Sequence, residues 1–260
     1  MPKKPENLDL YDEHEEVVSE DGRKVKRRGI FLLPNLLTTA CLFAGFFSIV
    51  SSIEGNFIYA GIAVFAAQIF DGLDGRVARI AKAESQFGAH YDSLCDVISF
   101  GLAPSICIFL WGLSSLGNAG WVFSFLFVAA AALRLARFNS NLGTEEKYFK
   151  GLPSPVAAAV IAYYVWTMTS LGVQEGTVSF SLVIFSAFLT GLVSILMVIN
   201  VPYYSFKEIE MRRRVPFFSI LVVVFVFALV SIDPPIVLVS CAMFYVVSGP
   251  IIWAFKYLRK

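Results

Sequence analysis

The chain alternates between long apolar runs and short breaks of charged or turn-forming residues. Each run is close to the roughly 20 residues that a helix needs to cross a bilayer. Because backbone polar groups find no partner in lipid, such runs are expected to be helical. The pattern therefore predicts an all-α polytopic membrane protein with about eight transmembrane helices and an N-terminal arm over residues 1–30. The predicted spans are about 31–53, 57–75, 90–113, 119–138, 155–173, 177–199, 216–232 and 235–255.

The composition agrees with this pattern. Hydrophobic residues make up 57% of the 260 residues and charged residues only 16%, which excludes an ordinary soluble domain. The first 30 residues are polar and contain no short apolar stretch, so they predict a retained arm rather than a signal peptide. Basic residues within 23–28 precede the first span, where they can contact anionic headgroups or simply set the topology. The net charge of +1 gives no indication of nucleic-acid binding.

The positions of Lys and Arg predict the orientation. All 21 lie in the arm, in the C-terminal tail, or in the breaks after the second, fourth and sixth spans. The opposite breaks contain Glu54, Glu175 and Asp233 but no Lys or Arg. By the positive-inside rule, both termini are expected in the cytoplasm. The alternation also favours eight spans, because a missed or invented span would place basic residues on both sides.

Carboxylates cluster where two predicted spans reach the cytoplasmic face. Ionisable groups at membrane depth are costly and usually mark function. Asp71 and Asp74 share one face of the second helix, while Asp92 and Asp96 lie one turn apart on the next. Two antiparallel neighbours would direct these four acids at one another. Such a group requires compensation, and hard oxygen ligands suit one or two Mg²⁺ or Mn²⁺ ions.

The cluster predicts phosphoryl transfer from a diphosphate to an alcohol that a carboxylate activates. Metal ions can bridge phosphate oxygens and offset the charge that develops on the leaving group, and Arg79 stands beside the acids. One alternative is a set of loop acids paired with Arg76, Arg79 and Lys82. The other is an ion or proton transporter, although these acids sit at one face rather than near mid-membrane.

The acidic segment resembles the signature of the CDP-alcohol phosphotransferase family, D-x2-D-G-x2-A-R-x8-G-x3-D-x3-D. The fixed positions are Asp71, Asp74, Gly75, Ala78, Arg79, Gly88, Asp92 and Asp96. The resemblance implies that the first three acids bind divalent ions and the CDP group. It implies that Asp96 is the general base and a further candidate metal ligand. It also implies two ions, a homodimer, a six-helix catalytic core over 31–200 and two additional helices over 201–260.

The resemblance extends to the substrates. Contacts to CDP-diacylglycerol are expected from the signature residues, except Asp96, and from Thr38 in the first span. Three stretches, 99–104, 134–139 and 151–155, resemble the phosphatidylserine synthase branch of the family. They imply L-serine as the acceptor, although branches that use glycerol phosphate or inositol phosphate share parts of them.

Basic residues near the cytoplasmic rim are candidate ligands for the acceptor or for phosphate. These are Arg134, Arg137 and Lys150. An arginine fork suits a carboxylate or phosphate better than an ammonium does. The alternative is that Arg134 and Arg137 only snorkel at the end of a helix.

Overall fold

The computed structural model describes residues 32–81, 85–140, 148–204, 225 and 228–258. The predicted arm, 1–30, and most of the predicted span 216–232 lie outside these residues. The described chain is all-α apart from one short two-stranded ribbon. Its helices are α1 Leu32–Ile53, α2 Phe57–Ala81, α3 Gln86–Asp96, α4 Ala103–Trp111, α5 Asn118–Ser140, α6 Ser154–Ser170, α7 Phe180–Val198 and α8 Pro234–Leu258.

Six helical stretches of the described chain are long and apolar enough to cross a membrane. They are Leu32–Ile53, Phe57–Ala81, Phe87–Trp111, Asn118–Ser140, Phe180–Val198 and Pro234–Phe255. Each coincides with a predicted span, and α6, with 17 residues, coincides with the predicted fifth. Large apolar side chains such as Phe43, Phe125 and Phe188 point outward, as expected of lipid-facing positions. The protein is therefore an integral membrane protein.

The two acid-bearing helices are longer at their charged ends than predicted. Helix α2 continues to Ala81 rather than ending near residue 75, because charged side chains do not interrupt a helix once it leaves the apolar layer. Helix α3 begins at Gln86 instead of residue 90. Ser85 caps it, since its Oγ accepts the backbone N–H of Gly88 at 3.0 Å. All four acids consequently lie within helices.

A π-helical turn, Val97–Leu102, separates α3 from α4. The N–H of Ala103 donates to the carbonyl of Ile98, five residues back. Pro104 follows at once, and a proline lacks the N–H that a regular α-helix needs while its ring crowds the preceding turn. The wider turn relieves that conflict and keeps α3, the π turn and α4 on one continuous path.

The first helix packs closely against this path. The hydroxyl of Ser99, in the π turn, donates to the carbonyl of Cys41 at 3.1 Å. A methyl group added at Gly45 would lie 2.7 Å from the Cα of Ser99. Only glycine at this position allows so close an approach of the two backbones.

The chain that enters α6 is tied to the end of α7. Strand β1, Tyr148–Lys150, pairs antiparallel with β2, Pro202–Tyr204. The N–H groups of Gly151 and Leu152 then donate to the carbonyls of Val201 and Leu196, each at 2.9 Å. Helix α6 thus starts from a fixed position and runs through the buried core.

Candidate active site

Three carboxylates from two helices converge on one point. Asp71 and Asp74 project from α2 and Asp92 from α3, and one oxygen of each lies within 4.8 Å of those of the other two. Both of these helices, α2 and α3, pack against α1. The helical spacing of the acids therefore produces the predicted convergence, with α1 as the shared support.

Helix α1 contributes a hydroxyl to this triad. Thr38 Oγ1 donates to Asp74 Oδ2 at 2.7 Å. Both residues are buried, Asp74 with only 5% of its surface exposed. A hydrogen bond to a buried carboxylate is stronger than a neutral one and fixes its direction. The sequence predicted that Thr38 contacts the nucleotide substrate. In the structure its hydroxyl orients the carboxylate of Asp74.

Asp96 occupies a different position from the triad. It is 8% exposed, and its Oδ1 has no hydrogen-bond partner among the described residues. Its carboxyl group adjoins that of Asp71, with Asp92 and Asp74 also within electrostatic range. A buried carboxyl oxygen without a partner is costly, and at such a site it indicates a group that meets a ligand. This arrangement fits a general base that is separate from the three acids of the triad.

The donor set of the triad fits a hard divalent cation. Two ionised carboxylates 4.8 Å apart repel by about 3 kcal/mol at an effective dielectric constant of about 20. The three together therefore favour a bound positive charge, and carboxylate oxygens are ligands that Mg²⁺ and Mn²⁺ prefer. Gly72 and Gly75 leave the adjoining space open, since an added methyl group would meet nothing within 4 Å. The triad could hold a metal ion and still admit a bulky substrate.

The remaining signature residues differ in how closely the protein packs around them. Ala78 is half-buried, and Arg79 is exposed in the last turn of α2. At Gly88, an added methyl group would lie 3.1 Å from Ser85 Oγ and 3.5 Å from Asn35 Oδ1. Gly88 therefore serves a close approach within the protein, whereas Gly75 faces open space.

Of the three basic candidates, the structure brings Arg134 to the acids. Its Nη1 donates to Ser154 Oγ at 2.8 Å, where α6 begins. Its guanidinium lies within electrostatic range of Asp96 and Asp71. Its Nε is buried and has no hydrogen-bond partner among the described residues. Arg134 thus places a cation with an unused donor on the Asp96 side of the cluster.

Arg137 points elsewhere. Its Nη1 donates to the carbonyl of Val198 at 3.1 Å and to Asn200 Oδ1 at 3.0 Å, at the end of α7. These contacts favour a structural role for Arg137. Lys150 lies on β1, opposite Pro202 in the ribbon.

Polar contacts that the sequence patterns did not reveal hold the site together. Asn139 Nδ2 donates to Ser93 Oγ at 2.9 Å and joins α5 to α3. Gln68 Nε2 donates to the carbonyl of Pro155 at 2.7 Å, and the Tyr163 hydroxyl donates to the other end of the same amide. Gln68 could have been suspected, since it is a polar residue in an apolar run three positions before Asp71.

A groove of about 370 Å³ lies between α3 and α5, next to the acids but without any of them in its wall. Its lining is largely apolar, with His90, Ser93 and Asn139 as the polar exceptions.

Comparison with known proteins agrees with this geometry. The sequence profile of CDP-alcohol phosphatidyltransferases matches residues 31–193, which include the whole signature. The chain belongs to the CDP-alcohol phosphatidyltransferase family. It is 37% identical over 231 residues to a CDP-diacylglycerol–serine O-phosphatidyltransferase of Helicobacter pylori, covering 88% of this chain and 94% of the relative.

More distant relatives carry related names. The Mycobacterium bovis CDP-diacylglycerol–serine O-phosphatidyltransferase is 36% identical over 189 residues, covering 70% of this chain and 64% of the relative. An archaetidylserine synthase of Methanothermobacter thermautotrophicus is 37% identical over 180 residues, covering 66% and 69%. Family membership excludes the transporter and loop-acid alternatives as accounts of the acidic cluster. Helix α8 lies beyond the part of the chain that the family profile matches.

Proposed function

We propose that the protein transfers the phosphatidyl group of CDP-diacylglycerol to the hydroxyl of L-serine, giving phosphatidylserine and CMP. The observation that carries this proposal is the triad of acids with a separate buried acid, Asp96, beside it and Arg134 beyond. In this proposal the triad is the diphosphate site, Asp96 is the base and Arg134 is the anion-binding cation. The names of the H. pylori, M. bovis and archaeal relatives support serine as the acceptor.

In this proposal the triad binds the diphosphate end of the lipid. Asp71, Asp74 and Asp92 would hold the divalent cations, with Asp96 as a further candidate ligand. Mg²⁺ or Mn²⁺, two ions in our proposal, would supply charge neutralisation for the diphosphate when bound. Gly75 leaves room for the CDP group, and we assign the signature residues Ala78 and Arg79 to its binding site as well. Gly88 would support that site through the close approach of α3 to Asn35 of α1. Thr38 keeps the Asp74 carboxylate aimed at the site.

Asp96 acts on the acceptor. It takes the proton of the serine hydroxyl, whose oxygen attacks the β-phosphorus of CDP-diacylglycerol, the one that bears the lipid. The new P–O bond replaces the bond to the bridging oxygen, which leaves with CMP. Because Asp96 is buried and has an unpartnered oxygen, it is suited to receive a proton from an acceptor rather than from bulk water.

Arg134 holds the carboxylate of serine in the proposal. Its fork has an unpartnered Nε and a fixed Nη1, so it can bind an anion without losing its own position. Arg137 and Lys150 remain the other two candidates for acceptor or phosphate binding, but the contacts of Arg137 with the end of α7 favour Arg134.

We further propose eight spans with both termini and the active site in the cytoplasm. The arginines of α2 and α5 share one end of the bundle with the acids, while Glu54 and Glu175 lie together at the other, Glu175 Oε2 being 3.8 Å from a methyl group placed at Gly55. The arm 1–30, a catalytic core over 31–200, two additional helices over 201–260 and a homodimer complete the proposed organisation.

The direct test is CMP release by the purified protein in detergent or vesicles. With CDP-diacylglycerol and a divalent cation present, L-serine should produce CMP and phosphatidylserine, whereas glycerol 3-phosphate and inositol phosphate should not. A chelator should stop release, and Mg²⁺ or Mn²⁺ should restore it. Release that depends on glycerol 3-phosphate and not on serine would retain the family and reject the proposed acceptor.

A further inference from the structure

A glutamine on α2 joins the two halves of the site. Gln68 lies three residues before Asp71 on the same helix. Its Nε2 donates to the carbonyl of Pro155, in the first turn of α6, at 2.7 Å. The residue before that proline, Ser154, is fully buried and accepts from Arg134 Nη1 at 2.8 Å. These two hydrogen bonds and the start of α6 therefore form a continuous path from the helix of the triad to the arginine that we assign to the acceptor.

The amide of Gln68 is held in one orientation. The carbonyl of Pro155 can only accept, so the NH₂ group of the amide faces α6 there and the amide oxygen faces away. The hydroxyl of Tyr163, a residue with only 2% of its surface exposed, donates to that oxygen. The Tyr163 ring packs edge-on against Phe65 of α2, with ring centroids 6.3 Å apart. Gln68 thus contacts α6 at two points through a defined geometry.

Close packing holds α2 and α6 together farther from the site. A methyl group added at Gly61 would lie 2.7 Å from Cβ of Trp166, so the two helices meet closely there. Gly61 precedes Gln68 by two helical turns, or about 10 Å along the helix. The bond from Gln68 to Pro155 adds a directional constraint at the end of the interface that lies nearer the acids. Without that bond, the start of α6 could shift relative to α2 while the packing at Gly61 stayed in place.

We propose that Gln68 is a positioning residue for the transfer reaction: it sets the distance between the diphosphate held at the triad and the acceptor held by Arg134. This inference rests on the proposed function, because it takes Arg134 as the ligand of the acceptor. The attacking oxygen must meet the phosphorus in line with the leaving group, and a displacement of about 1 Å can cost about 100-fold in rate. Gln68 is not among the residues assigned to either binding site, so each site should still bind its own substrate when Gln68 is replaced.

Gln68→Met is the direct test, because methionine has nearly the length of glutamine and lacks the amide donor and acceptor. We expect kcat for serine-dependent CMP release to fall about 10- to 100-fold. The KM for serine and the KM for CDP-diacylglycerol should each change less than about threefold. The rise in Tm that Mg²⁺ or Mn²⁺ produces should persist.

Ser105→Ala is the matched control. The hydroxyl of Ser105, on α4, donates to the carbonyl of Ser124, on α5, at 2.7 Å, so it is also a side-chain bond to a carbonyl of another helix. Ser124 precedes Arg134 by ten residues, or about 15 Å along α5. Ser105→Ala should lower the Tm, as Gln68→Met does, but leave kcat unchanged. An equal loss of kcat in the two variants would assign the effect of Gln68 to general loosening of the bundle and overturn the inference.

A second variant separates positioning from the cost of an unpaired group. Gln68→Met leaves the buried hydroxyl of Tyr163 without its acceptor, which lowers stability by itself. Adding Tyr163→Phe removes that hydroxyl, so the double variant should regain most of the lost Tm while its kcat stays low. Recovery of kcat together with Tm would make Gln68 a residue of stability alone and overturn the inference. The double variant also replaces Gln68→Met in the kinetic test if the single variant yields too little folded protein.

A double-mutant cycle with Ser154→Ala tests whether Gln68 acts along the path to Arg134. Ser154→Ala removes the acceptor of the Arg134 Nη1 bond and should itself lower kcat. Because the path is then already broken, adding Gln68→Met should lower kcat less than about twofold further. Full additivity, a wild-type kcat in Gln68→Met, or loss of the metal-dependent rise in Tm would overturn the inference, while serine turnover by the wild type upheld the proposed function. A wild-type protein that releases CMP only with another acceptor, or not at all, would reject both.

Discussion

Asp96→Asn is the substitution that best separates chemistry from binding at this site. The amide has nearly the volume of the carboxyl group, so the buried position is not emptied. It cannot serve as a base, and it removes one negative charge from the cluster of four. Because Asp96 adjoins Asp71, this loss of charge relieves repulsion. The folded protein should consequently be no less stable than the wild type.

The size of the effect follows from where Asp96 stands. The three acids whose oxygens lie within 4.8 Å of one another do not include it, so metal and diphosphate binding should survive its neutralisation. What should be lost is proton transfer, which is worth about 100- to 10,000-fold in rate. We therefore expect kcat with serine to fall by that factor, while the KM for CDP-diacylglycerol changes less than about threefold.

The assay is serine-dependent CMP release at saturating and limiting CDP-diacylglycerol, with metal-dependent thermal stabilisation measured in parallel. Asp71→Asn is the matched control, since it makes the same chemical change one helix away, within the triad. That variant should lose both turnover and the rise in Tm that added Mg²⁺ or Mn²⁺ produces. Asp96→Asn should lose turnover and keep the rise. If it lost metal-dependent stabilisation as completely as Asp71→Asn, Asp96 would be a metal ligand and the division of roles would be refuted.

Three further predictions use paired variants. Gly75→Ala should fold normally, because its new methyl group meets nothing within 4 Å, but it should raise the KM for CDP-diacylglycerol. Gly45→Ala should instead lower the Tm, since its methyl group would lie 2.7 Å from the Cα of Ser99 in the π turn. Equal losses of Tm in the two variants would contradict this pair. Arg134→Lys should raise the serine KM without changing the KM for CDP-diacylglycerol, and Arg137→Lys should mainly lower the Tm; the reverse pattern would move the acceptor to Arg137. Thr38→Val should reduce kcat/KM about tenfold or more by releasing Asp74, and Thr38→Ser should retain most activity; indistinguishable rates would show that the 2.7 Å hydrogen bond is not needed.

The acidic cluster could be predicted from the sequence because its geometry is local. Asp71 and Asp74 share a face of α2 by helical spacing alone, and Asp92 and Asp96 are one turn apart on α3. The only long-range step was that two consecutive membrane helices lie near each other. Apolar run lengths likewise predicted the ends of the described membrane-spanning helices to within six residues, since the bilayer sets the length of the apolar part. The largest difference is at the charged end of α2, which the apolar run does not include.

The contacts around Arg134 could not be predicted in the same way. Its hydrogen bond to Ser154 depends on the β1–β2 ribbon, which pairs residues about 50 positions apart in strands of three residues each. So short a ribbon has no alternating pattern of its own. Its register is imposed by the end of α7 and by the burial of Tyr203. The acceptor side of the site is therefore a product of tertiary packing, and the two candidate arginines could be separated only by their partners.

The π turn connects the locally predictable acidic helix to the packing that the sequence did not predict. Gly88, Asp92 and Asp96 share one helix face only where α3 is a regular α-helix. Helix α3 is regular to its last residue, after which the N–H of Val97 still donates to the carbonyl of Ser93. The irregular turn begins immediately afterwards, with its own five-residue hydrogen bond from Ala103 to Ile98. A π turn rotates the helix beyond it relative to a regular one. The turn thus preserves the facing of Asp96 while it brings Ser99 against Cys41 and Gly45 of α1, the helix that also supplies Thr38. The proline at position 104 therefore bears on the active site, because the turn it requires sets how closely the base-bearing helix packs on the helix that orients the metal-binding triad.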